Sequence, residues 1–123
     1  MLQLEYDAQM NWKTETDEIA RRRELALEQG GADSIAKQHS KGKLTIRERI
    51  DKLLDPGSFE EVGPTAGAGN YDENGDLISL DPANFVLGFG KVDGRRVIVG
   101  GEDFTMRGGP HLPVCAKVSM PKN

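Results

Sequence analysis

The side chains of this chain that could bind an anion are concentrated in residues 37–59, KQHSKGKLTIRERIDKLLDPGSF. Six lysines and arginines occupy the first sixteen of these positions, although the whole chain carries a net charge of −4. Lys41, Lys43 and Arg47 lie just before and at the start of a predicted helix, where unpaired N–H groups and the helix dipole favour negative charge. The pattern predicts that these three residues contact an anion, such as a phosphate, or another subunit.

A second interpretation is that the same cations are solvated or form ion pairs with nearby carboxylates, and on sequence alone it carries more weight. The carboxylates close in sequence are Glu48, Asp51, Glu60 and Glu61. Nucleic acid is a poorer partner, because the chain is acidic overall and the basic segment has no interleaved aromatic residues for stacking on bases. Anion contact, subunit contact and solvation therefore stay open.

The helix that would position these cations has clear start and stop signals. Thr45 and Glu48 have the spacing of a capping box, in which each side chain accepts a hydrogen bond from a free backbone N–H group. Apolar residues then recur on one face, namely Ile46, Ile50, Leu53 and Leu54. Residues 55–57, Asp-Pro-Gly, predict a sharp end, and Gly42 predicts a break after a shorter helix over residues 34–39, which would start at Ser34.

A longer helix is predicted upstream, capped by Thr14 or Thr16 and ended by Gly30-Gly31. Its apolar face would consist of Ile19, Ala26 and Leu27. The three arginines at 21–23 point to several sides of such a helix. A solvated basic face that pairs with nearby glutamates is favoured over a binding role.

The strongest strand signal lies in residues 85–105, where FVLGFGKV and RRVIVGGEDFT flank Asp93-Gly94. Asp-Gly between two runs rich in valine, isoleucine and phenylalanine predicts a β-hairpin. The glycines inside these strands indicate close approach of another group: Gly88, Gly90, Gly100 and Gly101. Residues 63–84 are predicted to form a long loop with a short hairpin around Asn74-Gly75.

Length and composition limit the number of domains and the classes of protein that the chain can belong to. At 123 residues the chain has room for one domain, and it has no apolar run long enough for a membrane span and no secretory signal pattern. A soluble protein without membrane contact is therefore expected. The lone Cys115 and the separated His39 and His111 give no disulfide and no metal-ligand spacing.

Three blocks, taken in order, resemble a known family: IAKQHSKGKLTIRERIDKLLDPGSFEEVG, GFGKVDGRRVIVGGEDFT and MRGG. They are similar to the beginning of the carboxyltransferase (beta) subunit of biotin-dependent acyl-CoA carboxylases of the propionyl-CoA and methylcrotonyl-CoA type. The resemblance covers residues 16–109 as a partial carboxyltransferase domain. It leaves residues 1–15 as an N-terminal arm and residues 110–123 as a divergent tail.

The resemblance implies an α/β fold, an incomplete crotonase-like domain of ββα units in which N-terminal helices precede a β-hairpin. It implies carboxyl transfer from carboxybiotin to the α carbon of an acyl-CoA, with biotin carried on a partner subunit or domain. The implied partners are the acyl-CoA substrate, a biotin carboxylase or biotin carrier subunit, and further carboxyltransferase copies in a homo-oligomer. The implied location is the cytoplasm, or the mitochondrial matrix in a eukaryote.

The sequence also departs from the family. A Ser-Gly-Gly-Ala-Arg type turn, which supplies one oxyanion-binding pair of N–H groups in the family, is absent, and Gly108-Gly109 is followed by PHLPVCAKVSMPKN. No catalytic residue is therefore assigned, and the chain is expected to be a truncated subunit that does not catalyse alone. By resemblance, Thr105, Gly108 and Gly109 are the candidates for acyl-CoA contact, with an ordinary Gly-Gly turn as the alternative.

The alternative function is a non-catalytic binding module that docks on a full-length carboxyltransferase oligomer. Its contacts would be Met10, Trp12, the apolar face of the first helix and the open edge of the predicted hairpin. An unpaired edge strand favours such docking because its free N–H and C=O groups can pair with another chain.

Overall fold

The computed structural model describes residues 11–106, and they form three helices followed by five strands. The elements are α1 (Lys13–Leu27), α2 (Ala32–Ser40), α3 (Ile46–Leu53), β1 (Glu60–Glu61), β2 (Gly67–Tyr71), β3 (Leu77–Pro82), β4 (Phe85–Val92) and β5 (Arg95–Glu102). Strands β1, β4 and β5 form one antiparallel sheet in the order β1-β4-β5, and β2 and β3 form a separate hairpin. None of the helices within the described range is long and apolar enough to cross a membrane.

Helix α3 begins with the predicted capping box. The Thr45 hydroxyl accepts a hydrogen bond from the Glu48 N–H at 3.3 Å, and the Glu48 carboxylate accepts one from the Thr45 N–H at 2.8 Å. Ile50 and Leu54 are buried as predicted, but Leu53 is 56% exposed. The helix ends at Leu53, and the backbone of Leu54 is extended. The side chain of Leu54 therefore enters the core, whereas Leu53, which helical spacing assigned to the same face, stays in solvent.

The hairpin of β4 and β5 is confirmed, with a two-residue turn at Asp93-Gly94. Both turn residues have positive φ, 49° and 78°, as a turn that matches the twist of the flanking strands requires. The Asp55 carboxylate accepts hydrogen bonds from the N–H groups of Asp93 and Gly94, at 2.9 and 2.8 Å. Asp55, the second residue after α3, therefore fastens the turn of the hairpin to the end of that helix.

Helix α3 covers one face of the three-stranded sheet, where Ile50, Leu54 and Val86 form a buried cluster. The predicted close approach at glycine is confirmed on this face. A Cβ atom at Gly90 would lie 2.4 Å from a methyl carbon of Leu54, and larger residues there would separate the helix from the sheet. The small core therefore depends on direct contact between helix side chains and strand backbone.

Helix α1 packs on the β2–β3 hairpin, but with fewer buried residues than the sequence predicted. Leu25 and Ala26 are buried beside Leu80, whereas Ile19 and Leu27 are 47% and 59% exposed, so the predicted apolar face was wrong at these two positions. The physical reason is that the buried apolar contact of α1 consists of Leu25 and Ala26 near the C-terminal end of the helix, packed with Leu80 of β3.

The starts of α1 and α2 also differ from the prediction. Neither threonine caps α1, which begins at Lys13. The N–H group of Lys13 donates a hydrogen bond to the side-chain oxygen of Asn11 at 2.8 Å, so a residue before both threonines binds a free N–H group at the start of the helix. Helix α2 begins at Ala32 rather than at Ser34, because Gly31, with φ of 89°, reverses the chain directly into it. Lys13 lies inside the predicted arm of residues 1–15, and the predicted tail of residues 110–123 lies outside the described residues.

Two arginines of the triplet pair with glutamates on their own helix, in agreement with the favoured interpretation. Arg21 contacts Glu24 at 3.4 Å and Arg22 contacts Glu18 at 3.2 Å. The Glu18 carboxylate also accepts a hydrogen bond from the Tyr71 hydroxyl at 2.9 Å, which joins α1 to strand β2.

Two carboxylates make the stability of this fold dependent on pH. The hydroxyl of Tyr71, and next the guanidinium of Arg22, hold the pKa of Glu18 below its usual range, and His39 does the same to the pKa of Glu48. A carboxyl whose pKa is lower in the folded than in the unfolded chain stabilises the fold above its ordinary pKa. We expect this contribution to disappear as the pH falls from about 4.5 through the lowered values.

The measurement is the urea midpoint of unfolding between pH 6 and pH 3 for the natural sequence and for Glu18→Gln/Glu48→Gln. The double variant should lose less stability on acidification. Glu73→Gln, at an exposed position in the turn between β2 and β3, is the matched control. Equal acid sensitivity in the double variant and the natural sequence would contradict the expectation.

Candidate functional site

The described part of the chain ends in a tight turn at residues 103–106 that is built on two buried polar side chains. Asp103 and Thr105 are 4% and 6% exposed. The Asp103 carboxylate accepts hydrogen bonds from the Thr105 hydroxyl at 2.6 Å and from the Thr105 N–H at 2.9 Å. The Thr105 hydroxyl in turn accepts a hydrogen bond from the Gly30 N–H at 3.0 Å, which fastens the turn to the connection between α1 and α2.

Phe104 lies between these two buried residues and its ring points outward. It is 68% exposed, so most of its apolar surface faces solvent. The turn that holds it is fixed by the hydrogen bonds of its neighbours, so the ring is presented from a rigid support. An exposed aromatic face on a fixed backbone is suited to stacking against a planar group.

Cationic side chains line two adjoining cavities that Phe104 also lines. One cavity, of about 230 Å³, is lined by Gln38, Lys41, Lys43, Arg49 and Phe104. The other, of about 270 Å³, includes Lys37 and shares Gln38, Lys41 and Phe104 with the first. Among the described residues, no carboxylate lines either cavity, so the charged side chains in the lining are all cationic.

The local sequence explains how the lysines converge. Lys37 and Lys41 are one helical turn apart at the end of α2, and therefore project on the same side. Gly42, with φ of 70°, reverses the chain after the helix. The Lys43 N–H then donates to the carbonyl of Gln38 at 3.2 Å, which holds Lys43 beside the same helix end.

A third and larger cavity continues from these two. It has a volume of about 630 Å³ and shares Ser34, Thr105 and Met106 with the cavity next to it. Its walls include Leu80 and Phe85, and a buried side-chain oxygen of Gln29 has no hydrogen-bond partner within the described residues. We call the three adjoining cavities the Phe104 groove: its basic end surrounds Phe104 and its wide, largely apolar end lies against the β2–β3 hairpin.

The chemistry of the Phe104 groove favours an elongated ligand with two unlike ends. Lysine and arginine donate charge-assisted hydrogen bonds to phosphate oxygens, and a phenylalanine ring stacks on a planar base. The wide end has room for an apolar group with a few polar atoms. In residues 11–106, no cluster of three or more His, Cys, Asp or Glu side chains is arranged to hold a metal ion.

The structure brings together residues that the sequence pattern assigns to two separate sites. Lys41 and Lys43 line the basic end of the groove, and Thr105 lines its middle and wide parts. Arg47 lies elsewhere: its guanidinium forms a bidentate pair with Glu61 at 2.8 and 2.9 Å. Gly108 and Gly109 lie outside the described residues.

Sequence reasoning did not identify Phe104, Lys37 or Arg49 as members of a site. Strand alternation could not place Phe104, because β5 ends at Glu102 and residues 103–106 form a turn. The cations gave no signal of a shared site either. Arg49 and Lys37 lie on different helices and line two different cavities, which adjoin because the chain reverses at Gly42.

Comparison with known proteins gives the family context. Residues 37–122 match the family model of the carboxyl transferase domain. The chain is 43% identical over 100 residues to the carboxyltransferase subunit of propionyl-CoA carboxylase from Haloferax mediterranei, a match that covers 81% of this chain and 19% of that protein. It is 40% identical over 90 residues to the biotin-dependent 3-methylcrotonyl-CoA carboxylase beta1 subunit of Mycobacterium tuberculosis, covering 72% and 16%.

A solved structure shows the same arrangement of elements. The transcarboxylase 12S hexamer, with methylmalonyl-CoA and methylmalonic acid bound, matches with a TM-score of 0.63 and 35% identity, over 80% of this chain and 19% of that one. The likeness confirms the predicted incomplete crotonase-like α/β fold. The chain spans about a fifth of the length of these relatives. It belongs to the carboxyl transferase domain family.

Proposed function

We propose that the chain is an N-terminal part of an acyl-CoA carboxyltransferase subunit and that the Phe104 groove binds the acyl-CoA. The parental reaction moves a carboxyl group from carboxybiotin to the α carbon of the acyl-CoA. The observation that carries the proposal is the exposed ring of Phe104 in cavities that four cations also line, at one end of a groove whose other end is largely apolar. The four cations are Lys37, Lys41, Lys43 and Arg49.

An acyl-CoA has the two unlike ends that such a groove requires. Its adenine would stack on Phe104, and its phosphates would accept hydrogen bonds from the surrounding cations. The pantetheine arm would then pass Ser34 and Met106 toward the wide cavity. Thr105 supports this path by holding the turn, because its hydroxyl is already bonded to Asp103 and to Gly30.

Biotin supplies the carboxyl group in this chemistry, and we assign no biotin contact to the described residues. The Ser-Gly-Gly-Ala-Arg type turn, which supplies an oxyanion-binding pair in the related subunits, does not occur in the sequence. We expect the 123-residue chain to bind an acyl-CoA without transferring a carboxyl group. In a complete enzyme, a biotin carboxylase or biotin carrier subunit and further carboxyltransferase copies would be its partners.

Isothermal titration of the chain with CoA tests the site directly. Lys41→Ala/Lys43→Ala should raise the dissociation constant about tenfold per lysine lost, since a hydrogen bond to a charged group contributes about 1.5–3 kcal/mol. Phe104→Ala should also weaken CoA binding, by about fivefold, through loss of stacking. Lys52→Ala, an exposed lysine of α3 that lines none of the three cavities, is the matched control and should bind as the natural sequence does.

A truncated ligand separates the contributions of the two ends of the groove. Pantetheine, which has no nucleotide, should bind weakly and show the same affinity for the natural sequence and the double lysine variant. CoA binding that is equally strong in all four proteins, or that falls equally in Lys52→Ala, would reject the groove as the site. Carboxyl transfer by the isolated chain from carboxybiotin to propionyl-CoA would reject the assignment of a non-catalytic part.

A further inference from the structure

The β2–β3 hairpin ends in a turn in which glycine follows an asparagine. Residues 72–76, Asp-Glu-Asn-Gly-Asp, form this turn, and all five are exposed. A Cβ atom at Gly75 would have no neighbour within 4 Å, so the space beside this residue is open as well. In any asparagine, the backbone nitrogen of the next residue can attack the side-chain amide carbon and close a succinimide ring. Glycine hinders that attack least because it has no side chain.

Asn74 differs from other asparagines of the chain in the residue that follows it. Asn11, Asn70 and Asn84 precede a tryptophan, a tyrosine and a phenylalanine. A bulky side chain beside the attacking nitrogen hinders closure of the ring, whereas Asn74 precedes Gly75. Asparagine is among the thermolabile residues of proteins, and Asn74 is therefore expected to react before these three.

Hydrogen bonds to Asp72 restrain the nitrogen that would attack. The Gly75 N–H donates to the Asp72 carbonyl at 3.1 Å. One carboxylate oxygen of Asp72, Oδ1, accepts hydrogen bonds from the Asn74 N–H at 2.8 Å and from the Asp76 N–H at 2.9 Å. Ring closure forms a new bond at the Gly75 nitrogen and removes its hydrogen, so the bond to the Asp72 carbonyl must break first. The intact turn therefore slows the reaction.

The turn of the other hairpin, Asp93-Gly94, has a related dipeptide but a firmer restraint. The Asp55 carboxylate accepts hydrogen bonds from the Asp93 and Gly94 N–H groups at 2.9 and 2.8 Å, and the Asp55 N–H donates to the Lys91 carbonyl at 2.7 Å. Asp55 lies outside that turn, whereas Asp72 belongs to the turn that it restrains. A carboxylate is also a poorer electrophile than a carboxamide. Of the two turns, the one at Asn74 is therefore the reactive one.

We propose that Asn74 is a site of spontaneous covalent modification, at which the chain converts its own asparagine to an acid. The Gly75 nitrogen bonds to the Cγ atom of Asn74, the bond between Cγ and Nδ2 breaks, and Nδ2 leaves as ammonia with the proton from the Gly75 nitrogen. One water molecule then opens the succinimide ring at either carbonyl, which gives aspartate or isoaspartate. Solvent water is the co-reactant, and no atom is oxidised or reduced.

Isoaspartate would disrupt the turn and the packing that depends on it. The backbone then runs through the former side chain, which adds one methylene between residues that now converge on Asp72. A negative charge is also added beside Asp72, Glu73 and Asp76. Strand β3 of this hairpin carries Leu80, which forms the buried contact with α1. The modification is therefore expected to loosen α1 and to lower the free energy of unfolding.

Peptide mass spectrometry of the 123-residue chain, incubated at mildly alkaline pH, measures the conversion of each asparagine. Conversion should occur at Asn74 in the folded chain and should be faster in urea, where the turn is lost. Asp72→Ala should raise the rate in the folded chain about tenfold, because two hydrogen bonds that hold the turn are removed. Asp76→Ala removes the same charge from the same turn but keeps its N–H bond to Asp72, so this matched control should react at nearly the natural rate.

Circular dichroism verifies that both variants are folded, and anion exchange separates the converted chain for urea unfolding. The isoaspartate form should unfold at a lower urea concentration than Asn74→Asp, which carries the added charge without the extra methylene. An Asn74 that stays intact in the folded chain would overturn the proposal. So would equal rates in the folded chain and in urea, or equal acceleration in Asp72→Ala and Asp76→Ala. The same urea midpoint for the isoaspartate form and Asn74→Asp would overturn the assigned effect on the hairpin.

Discussion

Replacement of Gly30 with alanine is expected to lower the free energy of unfolding by about 3 kcal/mol, a large part of the stability of a chain this small. A Cβ atom at Gly30 would lie 1.9 Å from the carbonyl oxygen of Thr105 and 2.4 Å from its carbonyl carbon. Neither atom belongs to a flexible side chain, so the backbone itself would have to move. The hydrogen bond from the Gly30 N–H to the Thr105 hydroxyl would be distorted at the same time.

Urea unfolding of Gly30→Ala beside Gly57→Ala measures this effect. Gly57 has φ of 72°, and a Cβ atom there would have no neighbour within 4 Å. Its replacement should therefore cost only the backbone strain of about 1–2 kcal/mol. The larger loss at Gly30 would then be due to the contact with the turn at residues 103–106. Equal losses in the two variants would show that the turn does not press on Gly30.

Gly30→Ala should also weaken CoA binding by the folded protein. Displacement of the turn moves Phe104 relative to the end of α2. The Phe104 ring and the cationic side chains then no longer line the same cavities. We expect a rise of about tenfold in the dissociation constant under conditions in which the variant is still folded, because misplacement of a stacked group loses its contact. Gly57→Ala, at a residue that lines none of the cavities of the groove, should bind CoA normally.

The features of the fold that could be predicted from sequence are those encoded by neighbouring residues. The capping box at Thr45 and Glu48 and the Asp93-Gly94 turn are complete within a few positions, so their geometry follows from the residue types alone. The resemblance of three sequence blocks then supplied the family and fold class. The predictions from local residue patterns and the prediction from the family resemblance both agree with the structure, because the local patterns favour the same elements that the fold contains.

The groove could not be predicted in this way because its parts are distant in sequence. Gly30 and Thr105 are 75 positions apart, and the local pattern around the glycine indicates only a helix end. The apolar spacing of Ile19 and Leu27 failed for a related reason: periodicity shows which residues share a side of a helix, but not how much of that side a partner covers.

Arg47→Met is the second substitution with a large expected effect, and it separates stability from ligand binding. The side chains of Arg47 and Glu61 are only 20% and 17% exposed, and the guanidinium holds the carboxylate through two hydrogen bonds that join α3 to β1. Removal of one partner leaves the other charge poorly solvated. We expect the free energy of unfolding to fall by about 2–3 kcal/mol, somewhat less than for a fully buried pair.

The double variant Arg47→Met/Glu61→Leu is the control for this prediction. Replacement of both charges by apolar groups of similar size removes the unpaired carboxylate, so stability should return to within about 1 kcal/mol of the natural sequence. CoA affinity should be unchanged in both variants, because Arg47 is already paired and lies outside the Phe104 groove. If Arg47→Met instead weakened CoA binding as much as Lys41→Ala/Lys43→Ala while stability was unchanged, Arg47 would be a ligand contact and the basic site would be centred on the start of α3.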